Sequence, residues 1–163
     1  MSKRQKRVTV GLSAVYFVLL AWLVLFKFRL NLGDLNHVRS VNLIPYGASI
    51  PGRLYLFEIV YNVLAFIPTG LYLHMLKPDW SFARKALPCF GLSLLFEVAQ
   101  FVFAIGASDI TDVIGNTLGG VIGIGVFALL RRALGDRAFA VASAIAAVGT
   151  AVACVFVVAV LRH

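Results

Sequence analysis

Five apolar runs separated by short polar segments set the plan of the chain: Val8–Phe26, Leu54–Leu76, Ala86–Ile105, Val113–Leu130 and Phe139–Leu161. Each is close to the ~20 residues an α-helix needs to cross a hydrocarbon core of about 30 Å. The polar residues inside the runs are few and regularly placed. Glu58 and Asn62 are four residues apart, and Glu97 and Gln100 three apart, so each pair shares one helix face. Asn116 is a lone amide near the start of the fourth run. Gly115, Gly119 and Gly123 recur every four residues and make a smooth stripe that allows close helix approach, within this chain or to a second copy. The stripe is expected to bring the fourth span close to Glu97. Pro68, in the middle of the second run, removes a helical hydrogen bond and predicts a kink.

The segments between the runs differ in character. Lys27–Arg53 is rich in turn formers, with Asn31–Asn36 reading N-L-G-D-L-N and Pro51-Gly52 near its end. Yet Val41–Tyr46 (V-N-L-I-P-Y) is largely apolar, which predicts a re-entrant or interfacial piece packed back onto the bundle. Lys77–Lys85 and Arg131–Arg137 are short and basic, and Trp80 suits an interface. Gly106–Asp112 reads as an acidic loop carrying Asp109 and Asp112.

Composition turns this plan into a fold class. Hydrophobic residues make up 61% of the 163 residues, and mean hydropathy is +0.92. Soluble domains stay nearer 45–50% apolar. The expectation is an all-α polytopic membrane bundle of about five transmembrane helices, forming one membrane domain over residues 1–163. The net charge of +8 flanks the spans, so it speaks for membrane topology and not for nucleic acid. With the N-terminus cytoplasmic, the inner segments hold ten Lys and Arg and the outer ones five, the distribution the positive-inside rule favours. The first run is longer than a signal-peptide core and no small-x-small site follows, so it reads as an uncleaved span. Cys89 and Cys154 lie inside apolar runs and read as small core residues; no metal-binding or nucleotide-binding motif is present.

This orientation gathers Glu58, Asn62, Glu97, Gln100, Asp109, Asp112 and Asn116 in the outer half, together with Arg29, Arg39 and Arg53 of the first loop. His74 falls on the opposite side, as an interfacial or core histidine. A charge within a span costs about 2.5–3.5 kcal/mol on insertion scales, so Glu97, the deepest, must face inward and have a partner. Arg39 is the first candidate, with Gln100 and Asn62 as alternatives in a purely structural pairing.

Four stretches together resemble the VanZ-like family of small bacterial membrane proteins: N-L-I-P (Asn42–Pro45), N-V-L-A-F-I-P-T-G (Asn62–Gly70), S-L-L-F-E-V-A-Q (Ser93–Gln100) and D-I-T-D-V-I-G-N-T-L-G-G (Asp109–Gly120). The resemblance covers a core of about 41–132. It implies a multi-pass protein of the bacterial inner (cytoplasmic) membrane, in a family some of whose members are linked to tolerance of glycopeptides such as teicoplanin. The family's usual polar positions fall on Arg39, Asn42, Pro45, Asn62, Pro68, Glu97, Gln100, Asp109, Asp112 and Asn116. Where family members often carry an arginine and an aromatic, this chain has Ala107-Ser108.

Three functions fit these features. The first is a cell-envelope protein whose outward polar site (Arg39, Asn42, Glu58, Asn62, Glu97, Gln100, Asp109, Asp112, Asn116) engages a lipid or lipid-linked cell-wall precursor and affects glycopeptide susceptibility. In that reading Pro45, Pro68, Gly115, Gly119 and Gly123 shape the structure, and the bilayer and a lipid-linked headgroup are the partners, with oligomerisation open. The second is a membrane enzyme using carboxylates or a metal; the only set for an ion is Glu97, Asp109 and Asp112, which prefer a hard cation and must converge on one point. The third is a proton- or ion-coupled transporter. No catalytic residue and no cofactor is singled out by the residues themselves.

Overall fold

The computed structural model describes residues 3–26, 40–46 and 52–161. Five helices account for nearly all of them: α1 (Lys3–Phe26), α2 (Gly52–Leu76), α3 (Phe82–Phe103), α4 (Ile110–Leu134) and α5 (Arg137–Leu161). Four, α1 to α4, are long and apolar enough to cross a membrane, and α5 is apolar over Arg137–Ala151. The molecule is a helical membrane bundle, as the apolar runs require. Its outer surface carries a belt of exposed apolar side chains such as Val18, Phe57, Leu87, Leu95 and Leu129, which in water would be untenable and in lipid is the expected exterior.

Most helices extend beyond the apolar runs into the polar flanks, and for α3 and α4 the N-capping residues lie there. Ser81 caps α3 by accepting from the Arg84 N–H, and Asp109 caps α4 by accepting from the Thr111 N–H. At the other end of α3, Ala104 turns left-handed at φ 54°, and its N–H and that of Ile105 close onto the Gln100 carbonyl. The acidic loop over Gly106–Asp112 is therefore not a loop throughout. Ala107–Asp109 is a short strand, β2, and Asp112 sits in the first turn of α4.

The first connecting segment does return to the bundle. Ser40–Asn42 forms strand β1 and pairs in parallel with β2, in the register Ser40 with Ala107, Val41 with Ser108 and Asn42 with Asp109. The chain then turns through Pro45 to Tyr46, whose backbone is left-handed at φ 59°.

α2 and α4 form the most extensive interface in the molecule. The glycine stripe makes it. A Cβ at Gly119 would collide with the Val63 carbonyl, one at Gly123 with the Ile67 carbonyl, and one at Gly70 with the Gly120 carbonyl. The stripe thus serves packing inside this chain. It faces α2, and not the α3 face carrying Glu97, which corrects the expectation that it brings α4 close to that residue. The α3–α4 contact uses a different glycine, Gly120, against Cys89.

Two apolar clusters fill the rest. Tyr72, Met75, Phe127, Phe139 and Ala142 pack at the end where α2 finishes and α5 begins. Leu20, Val24, Phe66 and Phe96 pack toward the strand pair. At the Pro68 turn of α2, the Tyr16 hydroxyl lies 2.7 Å from the Ala65 carbonyl and 2.7 Å from the Thr69 hydroxyl, tying α1 to α2 there. Both cysteines are free, Cys89 being buried.

Candidate functional site

Asp109 is the hinge of the polar end of the bundle. Its position after β2 and before α4 gives it three hydrogen bonds. One carboxylate oxygen accepts from the Thr111 N–H at 2.8 Å, capping α4. The other accepts from the Asn42 amide at 3.1 Å, holding β1. Its own N–H donates to Glu97 Oε2 at 2.9 Å. Asn42 in turn accepts the Ile44 N–H at 3.1 Å through its side-chain oxygen, setting the turn before Pro45. The Tyr46 N–H donates to the Thr111 hydroxyl at 3.1 Å, so the segment is pinned at both its ends.

Glu97 is 5% exposed, inward-facing as its depth in the third run requires. Besides receiving the Asp109 N–H, it is fixed through its carbonyl by the Ser108 hydroxyl at 2.8 Å. Arg39, its expected partner, lies outside the described residues, as does Arg29; Arg53 falls in α2 with its side chain outside them. Neither alternative partner is used in that way. Asn62 donates instead to Asp112 at 2.6 Å, joining α2 to α4. Gln100 donates to the Val24 carbonyl at 3.0 Å, joining α3 to α1. Asn116 is fully buried and donates to the Ser93 hydroxyl at 2.9 Å, joining α4 to α3. Glu58 stands half-buried one turn before Asn62.

The candidate residues therefore do not all converge. Those among the described residues belong to one end or one inner face of the bundle, but they are spread over separate seams. Their common action is to replace water for one another where the chain crosses between helices, since an unpaired polar group in hydrocarbon costs several kcal/mol. Ser93, Ser108 and Thr111 belong to this network equally, and each is at least nine-tenths buried. The sequence marks them only as small hydroxyl residues within four positions of an acid. His74, at the opposite end, contacts the Ile124 carbonyl through Nδ1 at 3.1 Å and packs its ring against Phe127.

The acids do not make a metal centre. Among the described residues no group of three or more His, Cys, Asp or Glu is placed to hold a metal ion. Asp109 already spends both oxygens on the Thr111 N–H and the Asn42 amide, and Asp112 turns to Asn62. The set Glu97, Asp109 and Asp112 thus does not meet at one point, which removes the geometric basis of an ion held by all three.

Beside this network lies a cleft of about 220 Å³ between β1, α3 and α4. Of the candidate residues, Asn42, Glu97 and Asp109 line it. Its walls are apolar: Val41 and Leu43 from the β1 segment, Leu94, Val98 and Phe101 from α3, Ile110 and Val113 from α4. Leu43, Leu94 and Val98 are 72%, 44% and 51% exposed, so the cleft opens sideways onto the surface that faces lipid. A second, larger apolar cavity of about 350 Å³ separates α1, α2 and α5 near Pro68 and Tyr16.

No solved structure matches the chain significantly. The curated Protein VanZ of Enterococcus faecium is 43% identical over 129 residues, which cover 78% of this chain and 78% of that protein. The VanZ/LLP1 family matches residues 13–131, from within α1 to the last turn of α4, so the match takes in β1, β2 and the whole polar network around Asp109. The chain is a member of the VanZ/LLP1 family.

Proposed function

We propose that this protein sits in the bacterial cytoplasmic membrane with its N-terminus inside, and that the cleft beside β1 seats an amphiphile, a lipid or lipid-linked cell-wall precursor, in the outer leaflet. Its effect on the cell would be altered susceptibility to glycopeptides such as teicoplanin, in keeping with its family. The observation that carries this reading is the lateral cleft itself. Apolar walls open onto lipid, and the cleft ends against Glu97 and Asp109 at the polar end of the bundle. A hydrocarbon tail suits the walls, and the polar head would lie outside them, beyond the strand-pair end. The rigidity of the Asp109–Asn42–Glu97 clasp preorganises that seat, so that little ordering cost falls on binding. The orientation follows from the ten Lys and Arg of the segments at the α1 start, α2–α3 and α4–α5, against five elsewhere.

The test fills the cleft without touching the network. Val98→Trp places a large ring in the opening, and wild type stands beside it as the reference. In a susceptible host making equal membrane amounts of each, Val98→Trp should abolish any change in teicoplanin susceptibility, and a photoreactive lipid probe should lose its crosslink to Leu94 or Leu43. A Val98→Trp protein with full effect on susceptibility and an undiminished crosslink refutes the cleft as the seat.

A further inference from the structure

The end of the bundle opposite the strand pair carries the chain's whole charge excess. The segments Lys3–Arg7, Lys77–Lys85 and Arg131–Arg137 hold ten Lys and Arg against two acids, Asp79 and Asp136, and the difference equals the net charge of +8. Among the described residues at this end, one ion pair is present, Arg131 with Asp136 at 3.9 Å, between exposed side chains. Lys85 is buried and donates to the Pro78 carbonyl at 2.8 Å, so it closes the α2–α3 turn. Lys77 lies over the Trp80 ring at 5.3 Å, an arrangement suited to the headgroup level of a bilayer.

The start of α1 is more specific than a charged flank. Lys3, Lys6, Arg7 and Val10 follow the spacing of one helix face, and together they frame a shallow depression of about 370 Å³. Val10 is 47% exposed and begins the apolar surface of α1 directly below the three cations. Three donors of positive charge thus stand above an apolar wall at the boundary of a membrane-spanning helix. We infer that this face binds an anionic phospholipid, with the phosphate among Lys3, Lys6 and Arg7 and an acyl chain descending along Val10. An arginine fork with two ammonium groups suits phosphate oxygens. The surrounding cation excess selects lipids of net negative charge, because a zwitterionic headgroup brings its own cation into the same field. This inference is independent of the cleft at the other end.

The experiment is lipid retention by the purified full-length protein, read by native mass spectrometry from micelles containing equal phosphatidylglycerol and phosphatidylcholine of matched chains. At about 1 kcal/mol per cation near an anionic surface, Arg7→Gln should reduce the preference for phosphatidylglycerol roughly fivefold. Lys3→Gln, Lys6→Gln and Arg7→Gln together should reduce it on the order of a hundredfold. The single variant keeps three of the four N-terminal cations, so it preserves insertion if the triple variant inserts poorly. Wild-type preference should also fall when salt rises from 50 to 500 mM. Equal retention of the two lipids by wild type overturns the inference, and so does a preference that Arg7→Gln leaves unchanged.

Discussion

The α2–α4 interface makes a graded prediction that separates packing from helix propensity. Replacing glycine by alanine in a helix gains about 1 kcal/mol when the methyl meets no obstacle. At Gly125 nothing lies within 4 Å of the added Cβ, and at Gly115 the nearest atom is the Asn62 Cβ at 3.6 Å, an ordinary contact. At Gly123 the same methyl overlaps the Ile67 carbonyl, which belongs to backbone and has no alternative rotamer. Relief there requires α2 and α4 to move apart, and overpacking of a well-filled interior costs about 1–3 kcal/mol even where side chains can adjust. With rigid backbone on both sides the upper end applies. Set against the propensity gain, Gly123→Ala should lose about 2 kcal/mol, while Gly115→Ala and Gly125→Ala should be neutral or gain up to about 1 kcal/mol. The assay is reversible unfolding of the purified protein in mixed micelles, followed by helical circular dichroism as the SDS fraction rises. Gly119→Ala, which faces the Val63 carbonyl and the Phe66 Cβ at 3.0 Å, should group with Gly123→Ala. If Gly123→Ala unfolds at the same point as Gly115→Ala, the stripe does not serve this interface and the reasoning fails.

Other expectations follow from single contacts. Asp109→Ala removes the α4 cap and the Asn42 tether together; the cap alone is worth about 1 kcal/mol, and a cysteine at Val41 should become faster to label as β1 loosens. Asp109→Asn should keep most of the cap, since asparagine caps as well as aspartate, and should lie between the two. Glu97→Leu strips the acceptor from the Asp109 N–H in a buried setting, and folded yield should drop by an amount corresponding to about 2 kcal/mol, whereas Glu97→Gln should fold. Tyr16→Phe deletes the hydroxyl at the Pro68 turn and should cost about 1 kcal/mol in the same unfolding assay, with α1 and α2 closer to separable by proteolysis in their connecting loop.

The helices are legible because a 20-residue apolar run in this composition has few alternatives, and the starts of α3 and α4 differ from the runs through Ser81 and Asp109, caps that lie among polar residues. That Glu97 faces inward was legible too, from the cost of exposing a carboxylate to lipid. Its first expected partner, Arg39, lies outside the described residues. Asn62 and Gln100 share helix faces with acids in sequence, but helix rotation turns one to Asp112 and the other to the Val24 carbonyl. The strand pair was hidden for a different reason. Three residues are too few for an alternating pattern, and a parallel partner sixty-seven positions away leaves no local turn signal. Ser93, in an apolar helix, and Ser108, in the short β2, carry small hydroxyls that announce nothing until a partner is placed beside them.

The β1–β2 register also has a consequence for the order of synthesis. Asn42 leaves the ribosome long before Asp109, and the two can meet only after α2 and α3 have been laid down between them. During that interval the main-chain groups of β1 lack the strand that they pair with in the finished fold. Closing the ring then completes three joints in one event, the strand pair, the α4 cap and the Glu97 contact. A chain cut short after α3 would carry Asn42 and Glu97 and yet be unable to join them, because Asp109, the residue that links both, comes after α3.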